Sequence, residues 1–501
     1  MSSATSARFE TTRDEETLAI PARGDGPSLE RALDAGLALA AQRDALTFIS
    51  LPVPVIAPAS IVDEFRHGPL ATWTASDLTL VGVGVARELR GTGAARWAEV
   101  IAGAHAIATN TPDVDDEPRD TMPTFTTRDL PCAVIGGHKA ALGELGFARP
   151  RFLGGAAFAP GSADQAPWTG FGDAWFVLPR WTYVHNGAHA FLVLAVDARD
   201  AALAQRWRDE LAIFRAALAH VFVTRHQPAM VEIERAAADQ WRQQVTDITD
   251  AIADGTCSKI VAARTCSVAL AGPVRAAELL AALDDRHADC VRVLIKPPNA
   301  GALVAATPER LIRRDGDFVE CDALAGSIAH NGDTEQATAT LLASAKDRRE
   351  HQLVVDAIRA VLTEAGAQIV EPAEPDIRAL RHVLHLHTPF RAVLRAPRHV
   401  LELAARLHPT PAVGGTPTTV ACDWIQTHEP APRGWYAAPV GWFDLDGNGE
   451  LAVALRSGVI SGSRAHLWAG AGIVAGSDPD RELAETEVKL RAMLGALGVT
   501  G

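Results

Sequence analysis

The chain has 501 residues, 48% hydrophobic and 22% charged, a globular composition that excludes wholesale disorder. Lys+Arg 47 against Asp+Glu 61 leaves a net charge of −14, and no Lys/Arg-rich run supplies the basic face of a nucleic-acid binder. An anionic substrate would have to be met by a few local cations or a metal.

At about 150 residues per domain the length allows roughly three domains or one large core. The N-terminus is polar and acidic, without the basic lead and apolar core of a signal peptide. The apolar stretch 46–62 holds three prolines and is shorter than the ~20 residues that span a bilayer. A cytoplasmic protein without a membrane partner is expected. The 6 cysteines (Cys132, Cys257, Cys266, Cys290, Cys321 and Cys422) form no C-x-x-C and read as reduced and structural.

Residues 1–28 read as a flexible lead-in, and 29–42 has helical spacing. TFISLPVPVIAP and LTLVGVGVARELR are strand-rich. Gly82-x-Gly84 lacks the third glycine of a dinucleotide fingerprint, Arg87 standing there, so it reads as a tight strand exit. Residues 110–128 are acidic and proline-punctuated, an exposed connection. AFLVLAVDA is a strand, and 200–246 reads as a long helical stretch interrupted near Pro228. The texture changes near Arg235, dividing an N-terminal half, 29–234, from a motif-dense region, 235–498.

In that region Lys259 starts the β-branched run KIVAART; alone it reads as a surface lysine flanking a strand, or as a base if its surroundings are apolar. Glu309 follows Pro308 in ATPERL, an acid that burial could turn into a proton donor or an arginine could pair. Asp315-Gly316 marks a hairpin. TEQATATLLASAKDRREHQLVVDAIRAVL predicts one long helix with Glu350 and His351 in its middle. VLHLHTPF alternates like a strand, with His385 and His387 on one face: a metal pair or satisfied core histidines. LHPTPAVGGTP is a rigid shaped loop, and Arg456 near the end of LAVALRSGVI suits a carboxylate or an internal ion pair. A final helix after GAGIVAGSDP carries Glu482, Glu485 and Lys489 on one face, a salt-bridged stripe or, with Glu350, a site for a hard cation.

In order, KIVAART, ATPERL, ALAGS, SAKDRREH, VLHLHTPF, LHPTPAVGGTP, ALRSG, GAGIVAGS and ELAETEVKL resemble the chorismate-utilising enzyme family, and within it the isochorismate synthases. The resemblance covers about residues 235–498, with weaker echoes at FLGGAAF and WFVLPRW. It implies an α+β fold with a large antiparallel β-sandwich core flanked by helices, chorismate as substrate and Mg²⁺ as cofactor. By the same resemblance Lys259 is the base that activates water and Glu309 the acid that protonates the leaving hydroxyl. Glu350 and Glu485 match metal ligands, with Glu482 in or next to that shell. Arg456, the backbone at Gly470 and Gly472, and Lys489 would hold a carboxylate, with His385 near the ring.

By the same resemblance Ala412, before Val413-Gly414-Gly415, matches the place where anthranilate synthases carry a threonine and would border the substrate, and Ala325 matches the place where aminodeoxychorismate synthases carry a nucleophilic lysine. The expected activity is an isomerase reaction, chorismate to isochorismate, without an obligatory glutaminase partner, serving menaquinone or siderophore synthesis. Salicylate synthase is the alternative, and a partner-dependent aminating subunit the more distant one.

Overall fold

The structure is a computed structural model that describes residues 26–42, 46–109, 133–136, 149–219, 222–329, 333–372, 375–381 and 383–499. Most of the lead-in, the acidic 110–128 stretch and Cys132 lie outside the described residues. Two antiparallel sheets dominate, of thirteen and ten strands. The larger runs from Met230–Arg235 at one edge through Lys259–Leu270, Arg464–Ile473, Ser457–Ser461, Ala302–Thr307 and Val291–Lys296 into Leu70–Thr74 and the other N-terminal strands. The smaller contains Val383–Leu394, Phe318–Ala329, Arg310–Asp315, Gly449–Val453 and Pro439–Asp444, continued by Arg151–Ala156. Strands from both sides of Arg235 therefore enter both sheets.

Two-residue periodicity explains the layering. In Ala302–Thr307, Leu303 and Ala305 join an inner core with Phe152, Trp175 and Phe443 of the other sheet. Val304 and Ala306 face the opposite way, onto helices Ala204–Ala219, Ala276–Arg286 and Pro479–Ala496. Helices Thr334–Ala343 and Ala345–Glu364 cover the smaller sheet. The result is an α+β sandwich with helices on both outer faces, as the resemblance implies. No helix of the described residues is long and apolar enough to cross a membrane.

Two predicted helices are corrected. The 200–246 stretch holds helices Ala204–Ala219 and Ala238–Ala253, with strand Met230–Arg235 between them. Pro228 cannot continue a helix, and MVEIER finds a ladder on Lys259–Leu270. The 334–362 stretch is two helices broken at Ser344, whose side chain accepts from the Asp347 amide and so starts the second one.

Gly434 shows how tightly the halves meet. Its φ is +54°, and a Cβ there would sit 2.1 Å from the Trp168 ring. Gly434→Ala is expected to cost roughly 3 kcal/mol from left-handed strain and overpacking, seen as a lowered thermal midpoint. An unchanged midpoint would contradict this packing.

Candidate active site

A cavity lined by strands of both sheets and by helices Ala345–Glu364 and Pro479–Ala496 gathers nine of the eleven candidate site residues. Glu309, Glu350, His385, Ala412, Arg456, Gly470, Gly472, Glu485 and Lys489 all line it. A larger cavity of about 1310 Å³ lies elsewhere, and none of these residues lines it.

Lys259 opens strand Lys259–Leu270 and is fully buried, so it is not a surface lysine. Its Nζ lies 2.8 Å from Glu350 Oε1. Glu350 rides on helix Ala345–Glu364, which packs against Phe318–Ala329. Burial pushes its carboxyl up, but Lys259 first, then Lys346 and Lys489, outweigh that and hold it below the usual carboxylate range. Gly472 makes the approach possible: a Cβ there would lie 2.2 Å from Glu350 Oε1 and 2.9 Å from Lys259 Cε.

Glu309 is set immediately before strand Arg310–Asp315. Its amide donates to Thr307 Oγ1 (3.2 Å) and its carbonyl accepts from Val453 N (3.0 Å), so the backbone is clamped on both sides. Burial raises its pKa to about 8, with Asp322 adding to the rise and Lys259, Lys489 and Arg378 opposing it. It is a carboxylic acid that holds its proton at neutral pH.

Helix Pro479–Ala496 begins at Asp478, whose carboxylate caps the amides of Asp480 and Arg481. One turn apart it presents Glu482, Glu485 and Lys489. Lys489 Nζ pairs with Glu485 (2.7 Å) and donates to Gly470 O (2.8 Å). Glu482 does not line the cavity: it is buried 2.6 Å from Lys346, its pKa raised by burial and then by Glu485. Each of the three carboxylates thus faces its own lysine.

Arg456 has φ +47° in a non-glycine residue, strain of the kind found at functional sites. It reaches His385 Nε2 (3.4 Å) and Cys290 Sγ (3.8 Å). His385 Nδ1 lies 2.8 Å from Ser327 Oγ; burial and then Arg456 push its pKa well down, leaving a neutral ring. His387 takes a separate partner, Asp322, at 3.0 Å. The two histidines are therefore not a metal pair.

The carboxylates of Glu350 and Glu485, which both line the cavity, are hard oxygen donors of the kind Mg²⁺ takes, while Glu482 is turned towards Lys346. Among the described residues the one trio of His, Cys and acid ligand atoms within 4.8 Å is His287, Asp289 and Cys290. The Arg456 guanidinium beside that thiol, whose pKa burial raises to about 11, disfavours a cation there.

Sequence reasoning missed Tyr436 and Trp468, which also line the cavity. Tyr436 is buried, its pKa raised by burial, and a Gly470 Cβ would come within 3.0 Å of its hydroxyl. The signal was the block RGWYAAPVG, where a turn of small residues brackets one tyrosine.

The family model described as chorismate binding enzyme matches residues 137–498. The salicylate biosynthesis isochorismate synthase of Pseudomonas aeruginosa is 34% identical over 490 residues, covering 95% of this chain and 94% of that one. An isochorismate synthase of Bacillus subtilis is 34% identical over 354 residues, 70% of this chain and 75% of its own. The solved menaquinone-specific isochorismate synthase from Escherichia coli superposes with TM-score 0.74 at 26% identity, over 94% of this chain and 100% of that one. The matched span contains every residue of the lysine–carboxylate cavity, and on that agreement the chain belongs to the chorismate-binding enzyme family.

Proposed function

We propose that this chain is an isochorismate synthase, converting chorismate to isochorismate with Mg²⁺ and without a glutaminase partner. The observation that carries the reading is a single cavity with a protonated acid, Glu309, on one wall and a buried lysine, Lys259, behind another. The relatives' names divide between salicylate and menaquinone routes, and isochorismate formation is common to both. The described cysteines are all free, which fits a reducing cytoplasm.

In this reading Arg456 and Lys489, with the backbone at Gly470 and Gly472, hold one carboxylate of chorismate, and His385 and Ala412 border the ring. Lys259 is the base in this reading, taking a proton from water as the oxygen attacks C2. The ring double bonds shift, the C4–O bond breaks, and Glu309 supplies the proton with which that hydroxyl leaves as water. One water enters and one departs, so the product is an isomer. Lys259 then holds one proton more and Glu309 one fewer, and exchange with solvent resets the pair. Glu350 and Glu485, with Glu482 beside them, would hold Mg²⁺, whose charge would screen the ring carboxylate from the surrounding acids.

Incubation of the purified chain with chorismate and Mg²⁺ should yield isochorismate and no pyruvate. Salicylate with pyruvate would instead identify a salicylate synthase. Glu485→Gln removes one charged oxygen donor and is expected to weaken Mg²⁺ binding roughly tenfold or more in a calorimetric titration. An unchanged titration would remove Glu485 from the ligand set.

A further inference from the structure

Arg433 never touches the cavity, yet it joins the segments that form its walls. Its side chain is 2% exposed and that of its partner Glu429 is 4%. Nε donates to Glu429 Oε2 (2.8 Å) and Nη2 to Glu429 Oε1 (2.5 Å), a two-pronged pair. The same guanidinium donates to Val413 O (2.7 Å) and Val261 O (2.8 Å). Glu429 Oε1 also accepts from Ala263 N (3.1 Å).

Val413 lies in the loop that carries Ala412; Val261 and Ala263 lie two and four residues after Lys259. The Val261 amide donates to Gly414 O (2.8 Å), so loop and strand meet directly at the point the pair secures. The Arg433 carbonyl accepts from Tyr436 N (2.8 Å), fixing the turn that brings Tyr436 into the cavity. Beneath the guanidinium, 4.5 Å away, is the ring of Phe158 from the N-terminal half.

We infer that the buried Arg433–Glu429 pair is a positioning element for the reaction: it holds the Ala412 loop and the Tyr436 turn in register with the Lys259 strand. This rests on the isochorismate synthase reading. A fully buried ion pair is weak evidence for a stabilising role, since apolar replacements are often as stable. What this one supplies is directional: a planar fork spans a carboxylate and two carbonyls at once, which an ammonium cannot do.

The test compares Arg433→Lys with the double variant Arg433→Met/Glu429→Leu, which removes both buried charges. Both are expected to lose roughly a hundredfold in kcat, a displacement effect, with KM for chorismate held within about threefold. The double variant is expected to recover the thermal midpoint without recovering kcat; recovery of both would reduce the pair to a structural role and overturn the inference. Should the double variant fail to fold, Glu429→Gln keeps the shape and is expected to lower kcat about tenfold at unchanged KM; unchanged kcat would overturn it. Amide exchange over residues 409–416 is expected to quicken in Arg433→Lys, and unchanged exchange counts against the brace whatever the enzyme makes. Wild-type product analysis in the same assay tests the functional reading separately.

Discussion

Lys259→Ala is expected to reduce kcat by about 10³-fold or more, the contribution of a positioned general base, while chorismate binding largely survives. The lysine is buried behind the cavity wall with its nitrogen 2.8 Å from Glu350, and Arg456 and Lys489 stand on other elements. Truncation leaves Glu350 without its nearest counter-charge, and removing one partner of a buried pair costs about 3–5 kcal/mol. Lys259→Gln, which keeps bulk and a donor, separates that cost from the chemistry. It should fold and bind chorismate calorimetrically, yet turn over no faster than the alanine variant. A fully active variant would remove the base assignment.

Glu309→Gln should lower kcat by roughly 10²–10⁴-fold, the range for a lost general acid. The same residue sets an alkaline limb. Because its pKa is raised to about 8, chiefly by burial, the acid is protonated at neutral pH and loses its proton as pH rises through that value. The rate is therefore expected to hold towards neutrality and to fall above about pH 8, where kcat/KM reports the free enzyme. Residual activity of Glu309→Gln should lack that limb. A variant retaining the wild-type alkaline fall would place the titration on another group.

The legible parts of the molecule were those written in local pattern. The β-branched run after Lys259 and the Asp315-Gly316 turn each stated their own conformation. The Ser344 break was written too: serine with an acid three residues on is a capping signal, but the surrounding helix formers masked it. Met230–Arg235 was harder, because its glutamates and arginine sit on an exposed edge whose partner strand begins 24 residues later.

Site membership needed the whole motif set. Nothing local distinguishes a buried Lys259 from a surface one, since its burial comes from Glu350, 91 residues on, and from Gly472. Glu429 and Arg433, separated by two prolines, carry no local signal, and only the fold brings the Val261 and Val413 carbonyls onto the guanidinium. Glu482 shared a helical face with Glu485, but Lys346 draws it out of the cavity. Spacing along one helix cannot report what a second helix brings.

In the proposed reaction water adds at C2 as the C4 hydroxyl departs, with no further elimination. Turnover of unlabelled chorismate in ¹⁸O-water with Mg²⁺, followed by mass spectrometry of the separated products, tests it in one run. Isochorismate carrying one solvent oxygen in its ring hydroxyl is expected, with no pyruvate. Isochorismate without solvent oxygen, or salicylate released together with pyruvate, would contradict it.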